Sequence, residues 1–149
     1  MEQTRKRVDL NGDFRFKVDA KGRVSLPSKF RKVLQGDLVV TPDVEGKHLM
    51  VFRQEDFNDW VDELFVDRFG EYKPSSKTHQ NLRRALKGRS DDVEIDKAGR
   101  ILLPADQREL VKISRDVAII GNTGYIEIWD ADSYDARNDQ VDITVLLSK

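Results

Sequence analysis

Val18-Asp19-Ala20-Lys21-Gly22-Arg23-Val24-Ser25-Leu26-Pro27 and Ile95-Asp96-Lys97-Ala98-Gly99-Arg100-Ile101-Leu102-Leu103-Pro104 are two versions of one motif. Asp, Gly, Arg and Pro recur at the spacing that separates Asp19 from Asp96, and the apolar positions keep their type. Arg31 and Arg108 hold the same offset, as do the segments His48–Phe52 and Tyr125–Trp129. Between these the register slips and returns, as a difference in loop length produces. So many matches at one offset mark an internal repeat, and repeated units of this kind bury their apolar faces against one another.

Each unit reads alike. Phe14-Arg15-Phe16-Lys17-Val18 alternates apolar with basic residues, the period of a half-buried strand. Asp-x-x-Gly-Arg follows as a turn, because Asp starts turns readily and Gly accepts a positive φ. Val24-Ser25-Leu26 resumes as a second strand, and Pro27 suits the first position of a short helix running through Arg31 towards Leu34. In the second copy Pro104 precedes a helix expected from Ala105 to Lys112. Two strands close each unit: Leu38–Thr41 with Leu49–Phe52, and Val117–Ile120 with Tyr125–Trp129. Gly46 in one, and Gly121, Asn122 and Gly124 in the other, mark the turns between them. A unit of about 40 residues buries too little surface to stand alone. Two copies in one chain solve this by sharing a core.

The expected organisation is therefore a first unit at 13–56, a helical connector at 57–89 and a second unit at 90–133. In the connector Phe57, Trp60, Val61, Leu64, Phe65 and Phe69 recur at three- and four-residue spacing, an amphipathic helix with one apolar stripe. Glu55, Asp56 and Asp59 fall in its first turns, where the helix dipole favours acids. A loop at Lys73–Ser76 leads to a second helix near Lys77–Lys87, and Asp130 caps a helix through Tyr134. Residues 141–147 read equally as strand or frayed tail.

Composition narrows the function. With 149 residues, 38% hydrophobic and 36% charged, the chain suits a soluble globular protein. Its apolar runs, such as Val117–Ile120, are too short to cross a bilayer, and the polar start through Arg5-Lys6-Arg7 leads into no signal-peptide core. The lack of cysteine excludes disulfides and thiolate metal sites and fits a cytoplasmic protein. His48 and His79 are the only histidines, without a carboxylate pattern that makes a metal site, and His48 reads as a packed or edge residue. No nucleophile elbow, phosphate loop or dinucleotide fingerprint is present, so nothing points to an enzyme or a cofactor. The net charge of −1 conceals blocks: +6 over residues 1–32, −7 over 33–72, +6 over 73–90 and −6 over 91–149. Such blocks either form solvated surface or present a basic face to phosphate. Arg83, Arg84, Lys87 and Arg89 either add to such a face or pair with the acidic helix around Asp56, Asp59, Asp62 and Glu63, and adjoining blocks of opposite sign favour pairing.

The paired Asp-x-x-x-Arg turns, each followed by an apolar triplet and Pro, resemble the MraZ family of bacterial transcription regulators. The likeness extends over about residues 13–135 and includes Leu26-Pro27-Ser28-Lys29-Phe30-Arg31, Leu103-Pro104 and Ile128-Trp129-Asp130. It implies an α+β fold: a double AbrB-like (SpoVT/AbrB) swapped-hairpin β-barrel, with short helices after and between the repeats. It further implies a homo-oligomeric ring and binding to double-stranded DNA through the turns, at short direct repeats controlling the division and cell-wall gene cluster. A cytoplasmic, nucleoid-associated repressor is the expectation. The basic Arg5-Lys6-Arg7 start and the short C-terminal end depart from the family pattern.

Within that frame, Arg23 and Arg100 are the candidates for base contact, since bidentate Arg on guanine O6 and N7 is the commonest specific readout in the major groove. Lys21, Lys97, Arg15 and Lys17 are candidates for phosphate contact, which positions without specifying. Asp19, Asp96, Gly22 and Gly99 support the turns. Each Asp either merely braces its turn, a bond worth about 0–1 kcal/mol when exposed, or also holds the guanidinium ready for DNA. The rival reading is a protein-interaction module, antitoxin-like or a scaffold.

Overall fold

The computed structural model describes residues 6–148; Met1–Arg5, with the first residue of the Arg5-Lys6-Arg7 start, and Lys149 lie outside the described residues. The first half forms β1 (Asp13–Lys17), β2 (Arg23–Ser25), α1 (Ser28–Arg31), β3 (Leu38–Pro42) and β4 (Leu49–Arg53). Two helices follow, α2 (Gln54–Phe69) and α3 (Lys77–Gly88). The second half repeats the order as β5 (Asp91–Val93), β6 (Arg100–Leu102), α4 (Ala105–Leu110), β7 (Asp116–Gly121) and β8 (Ile126–Asp130), and ends in α5 (Ala131–Asn138) and a 3₁₀ turn at Ile143–Leu147.

The result is a mixed α+β fold of antiparallel strands and short helices. The larger sheet runs β1-β7-β8-β4-β3-β5 and the smaller pairs β2 with β6. First strands cross over: β1 pairs with β7 of the other half, with Phe14 opposite Ile119, and β5 pairs with β3, with Val93 opposite Leu38. Second strands pair with each other, Val24 opposite Ile101. One buried cluster draws on both halves, including Val24, Leu26, Phe30, Leu49, Val51, Ile101, Leu103, Ile119 and Ile128. Strand alternation turns the intervening Met50 and Phe52 to the opposite face. There they meet Phe57, Val61 and Phe65 of α2 in a second cluster.

Helix ends explain where the sequence expectations shift. α2 starts at Gln54, ahead of the apolar stripe, because Arg53 Nε reaches the fully buried Asp56 carboxylate at 2.8 Å and closes the first turn. Ser76 Oγ accepts from His79 N at 3.1 Å to start α3, and Asp130 accepts from Ser133 N at 3.0 Å to start α5, which continues beyond Tyr134 to Asn138. α4 stops at Leu110, short of Lys112, because Lys112 takes a left-handed φ of 63° and Ile113 N closes back on Arg108 O at 2.9 Å. Residues 143–147 are a 3₁₀ turn with exposed apolar side chains. His48 is packed, its ring stacked 4.5 Å from that of Trp129. Pairing of the basic 73–90 block with the acidic helix holds for Arg83, which binds Asp62 at 3.0 Å. Arg84 bonds Asn81, Lys87 lies over the Phe57 ring, and Arg89 donates to the carbonyls of Pro42 and Asp43.

Because both halves share one core, they should unfold together. In a variant that keeps only Trp129, made by Trp60→Phe, the urea midpoint read by fluorescence from the second half should equal the midpoint read by far-UV circular dichroism from the whole chain. Phe30→Ala, which empties a fully buried site against Phe14, should lower stability by about 3–5 kcal/mol and move both midpoints equally. Separate midpoints would mean the halves are independent.

Candidate nucleic-acid interface

The two Asp-x-x-Gly-Arg turns have the same internal geometry. Asp19 N donates to Arg23 O at 2.8 Å and Gly22 N to Asp19 O at 3.0 Å. The Asp19 carboxylate then accepts from Lys21 N at 2.9 Å and Arg23 N at 2.8 Å through Oδ1, and from Arg23 Nε at 2.9 Å through Oδ2. In the second turn Asp96 accepts from Ala98 N, Arg100 N and Arg100 Nε at 2.9, 2.9 and 3.0 Å. The aspartates are thus bonded to the backbone as well as to the arginines. Backbone donation from Arg23 and from Arg100 is the main reason each carboxyl is held below its ordinary range, with the guanidiniums adding to it.

Gly22 and Gly99 sit at φ of 83° and 79°, a conformation costly for a residue with Cβ. The tight turns aim their carbonyls at the partner turn: Leu103 N donates to Gly22 O at 2.8 Å and Leu26 N to Gly99 O at 3.0 Å. Each glycine also makes room for an arginine of the opposite half. A Cβ on Gly22 would stand 2.8 Å from the Arg108 guanidinium, and one on Gly99 would collide with Arg31. Arg31 and Arg108 were visible in the sequence only as a matched pair. The structure packs each against the glycine of the opposite turn, with Arg108 Nε donating to Leu103 O at 2.9 Å and Arg31 Nε buried without a hydrogen-bond partner among the described residues.

The pairing of β2 with β6 brings Arg23 and Arg100 together. Arg23 lies opposite Leu102, and Ser25 opposite Arg100, while Val24 and Ile101 between them are buried. Both arginines therefore share the outward face of a two-stranded antiparallel ribbon. Asp19 reaches across it, since its Oδ2 is 3.7 Å from an Arg100 terminal nitrogen. Lys21 and Lys97 are exposed in the two turns, at neighbouring and not equivalent positions. Arg15 and Lys17 are elsewhere, on β1 in the larger sheet. Lys17 faces Asp116 in the strand register. Arg15 is clasped by Asp13 (2.7 and 2.9 Å) and by Asp135 of α5 (2.8 and 3.1 Å); these bonds push its own titration upward and hold the Asp135 carboxyl low. No group of His, Asp or Glu fit to hold a metal occurs among the described residues. No helix among them is long and apolar enough to cross a membrane.

The family model described as "MraZ protein, putative antitoxin-like" matches residues 10–84 and 86–143. The chain is 33% identical over 128 residues to the transcriptional regulator MraZ of Mycoplasmoides gallisepticum, an alignment covering 86% of each protein. It is 35% identical over 123 residues to the protein of the same name from Mycolicibacterium smegmatis, covering 83% of this chain and 82% of that one. The corresponding Lachnoclostridium phytofermentans protein is 33% identical over 127 residues, 85% of each.

Gly22→Ala and Gly99→Ala should each cost about 1–2 kcal/mol from the left-handed backbone alone, read by urea denaturation. With folded-state carboxyl values depressed, what Asp19 and Asp96 contribute is present above the ordinary value of 3.8 and is lost as pH falls through the lower folded values. NMR shifts of the Arg23 and Arg100 amides should therefore hold constant from pH 7 to about pH 5 and titrate with midpoints below 3.8. Midpoints above 3.8 would contradict the bonding described.

Proposed function

The chain belongs to the MraZ family, and on that premise we propose that it is a DNA-binding transcriptional regulator whose β2–β6 ribbon reads the major groove. One observation carries the proposal: Arg23 and Arg100 stand half-buried on the same outward face of a two-stranded antiparallel ribbon, with 31% and 32% of their side chains exposed. The major groove admits such a ribbon, and Arg is the residue that reads guanine there. Each arginine spends its Nε on its own aspartate, which leaves terminal nitrogens to meet O6 and N7, although one of those on Arg100 also lies 3.7 Å from Asp19. The aspartate also limits the rotamers the side chain must give up on binding.

Lys21 and Lys97, exposed beside the ribbon, make the phosphate contacts that set register. Lys17 supplements them. Arg15, whose charge is already met by two carboxylates, contributes least. Asp19, Asp96, Gly22 and Gly99 hold the turns. The crossing of first strands supports the reading of a double AbrB-like swapped-hairpin barrel, with repeat units at 13–56 and 90–133 joined by the connector 57–89. One chain neutralises few phosphates, so affinity at physiological salt requires repetition. A homo-oligomeric ring supplies it, binding short direct repeats as a cytoplasmic, nucleoid-associated repressor of the division and cell-wall gene cluster. The transcriptional-regulator names of the relatives support this reading. The words "antitoxin-like" in the family description favour a second one, in which the same surface engages a protein.

Titration against direct-repeat and scrambled duplexes at two salt concentrations tests it. Selective binding should weaken as salt rises, and Arg23→Ala or Arg100→Ala should each cost about 5- to 150-fold on the direct-repeat duplex. Lys21→Ala should weaken both duplexes alike and flatten the salt dependence. Affinity indifferent to both arginines in folded variants would move the function to a protein partner.

A further inference from the structure

Among the described residues of this chain two apolar features stand uncovered. The first is its C-terminal segment, where Val141, Ile143, Val145, Leu146 and Leu147 are 58–86% exposed within seven residues. A monomer rarely leaves so many neighbouring aliphatic side chains in water. The segment is nevertheless shaped: Asp142 accepts from Thr144 N at 3.0 Å and from Thr144 Oγ1, capping a 3₁₀ turn that brings Ile143 and Leu146 to one side. Its charges are Asp139 and Asp142 on the N-terminal side of the aliphatic residues and Lys149 beyond them, so that 139–149 carries a net charge of −1.

The second is a groove of about 410 Å³ between α2 and α3. Leu64, Phe65 and Phe69 line one wall, Leu82 and Leu86 the other. Its charged lining residues are both cations, Arg68 and Arg89. Arg89 Nε is buried without a hydrogen-bond partner among the described residues. The groove is thus apolar along its length and positive in charge, while the tail is apolar and negative.

A chain's own tail does not fill its own groove in this structure. α5, from which the tail leaves, packs on β7 and β8, whereas α2 packs on β3 and β4, and the tail's aliphatic side chains remain exposed. We propose that the α2–α3 groove receives the C-terminal 3₁₀ segment of a second copy of this chain, with Asp142 and Asp139 of the incoming tail set against Arg68 and Arg89. The inference rests on the oligomeric reading given above and names its interface. Such a contact is heterologous: each copy gives a tail and takes one, so the contact propagates in one direction and closes as a ring when the rotation allows.

Two variants test this with the full chain. Ile143→Asp/Leu146→Asp spoils the tail, and Leu82→Asp spoils the groove; all three positions are at least 44% exposed, so both proteins should fold, as circular dichroism would verify. In sedimentation velocity over a range of concentrations, the parent should assemble and each variant should self-associate at least about a hundredfold more weakly. An equimolar mixture of the variants should yield a one-to-one dimer and nothing larger, because one intact groove and one intact tail remain between them. A parent that assembles while either variant assembles equally well, or a mixture that stays monomeric, would overturn the interface and leave the oligomeric reading intact. A parent that is itself monomeric would overturn both.

Discussion

Everything in this molecule depends on backbone hydrogen bonds that neither half can make alone. The strand leaving each Asp-x-x-Gly-Arg turn donates to the glycine carbonyl of the other turn, Leu26 N to Gly99 O and Leu103 N to Gly22 O. An unmet buried backbone group costs about 1–3 kcal/mol, so the two turns are obliged to form as a pair. Positive φ at Gly22 and Gly99 presents those carbonyls, and the space left by the missing Cβ admits Arg108 and Arg31 from the opposite half. The crossing of β1 and β5 into the partner halves then follows, and so does a core to which both halves contribute.

This mutual dependence reassigns much of the charge that the sequence displays in blocks. Within the basic stretch 73–90, Arg83 is held by Asp62 and lies over Tyr72, Lys87 lies over Phe57, and Arg89 serves the carbonyls of Pro42 and Asp43. Those cations fasten α3 to its surroundings. Arg15 likewise links β1 to α5 through Asp135. The arginines of the ribbon differ in kind: the carboxylate bonded to each Nε lies four residues away and accepts from two backbone amides as well, so the bond shapes the turn and leaves about a third of each side chain exposed.

Local order was legible in the residues; partnership was not. The alternation of Phe14–Val18, the Asp-x-x-Gly-Arg turns, the prolines opening α1 and α4 and the apolar stripe of α2 each follow from steric preference or periodicity within a few residues. Which strand pairs with which is carried by no local pattern, and the β1–β7 and β3–β5 pairings emerge only in three dimensions. The candidate site divides along the same line. The matched arginines identified the turns, but the packing of Arg31 on Gly99 and of Arg108 on Gly22 depends on contact between halves. The clasp on Arg15 involves a carboxylate 120 positions away. Lys112 escaped notice because a left-handed C-cap is usually signalled by glycine.

The near-twofold relation between the turns is incomplete at the surface. Ser25 lies beside Arg100 where Leu102 lies beside Arg23, Lys21 and Lys97 occupy different steps of their turns, and one carboxylate, Asp19, approaches both guanidiniums. Two separate chains coming together to build this ribbon would be copies of each other, and any change would appear on both sides at once. Covalent fusion removes that obligation. The two edges can drift apart while the hydrogen bonds beneath them stay matched, so the ribbon acquires a head and a tail, and whatever it grips is gripped in one orientation.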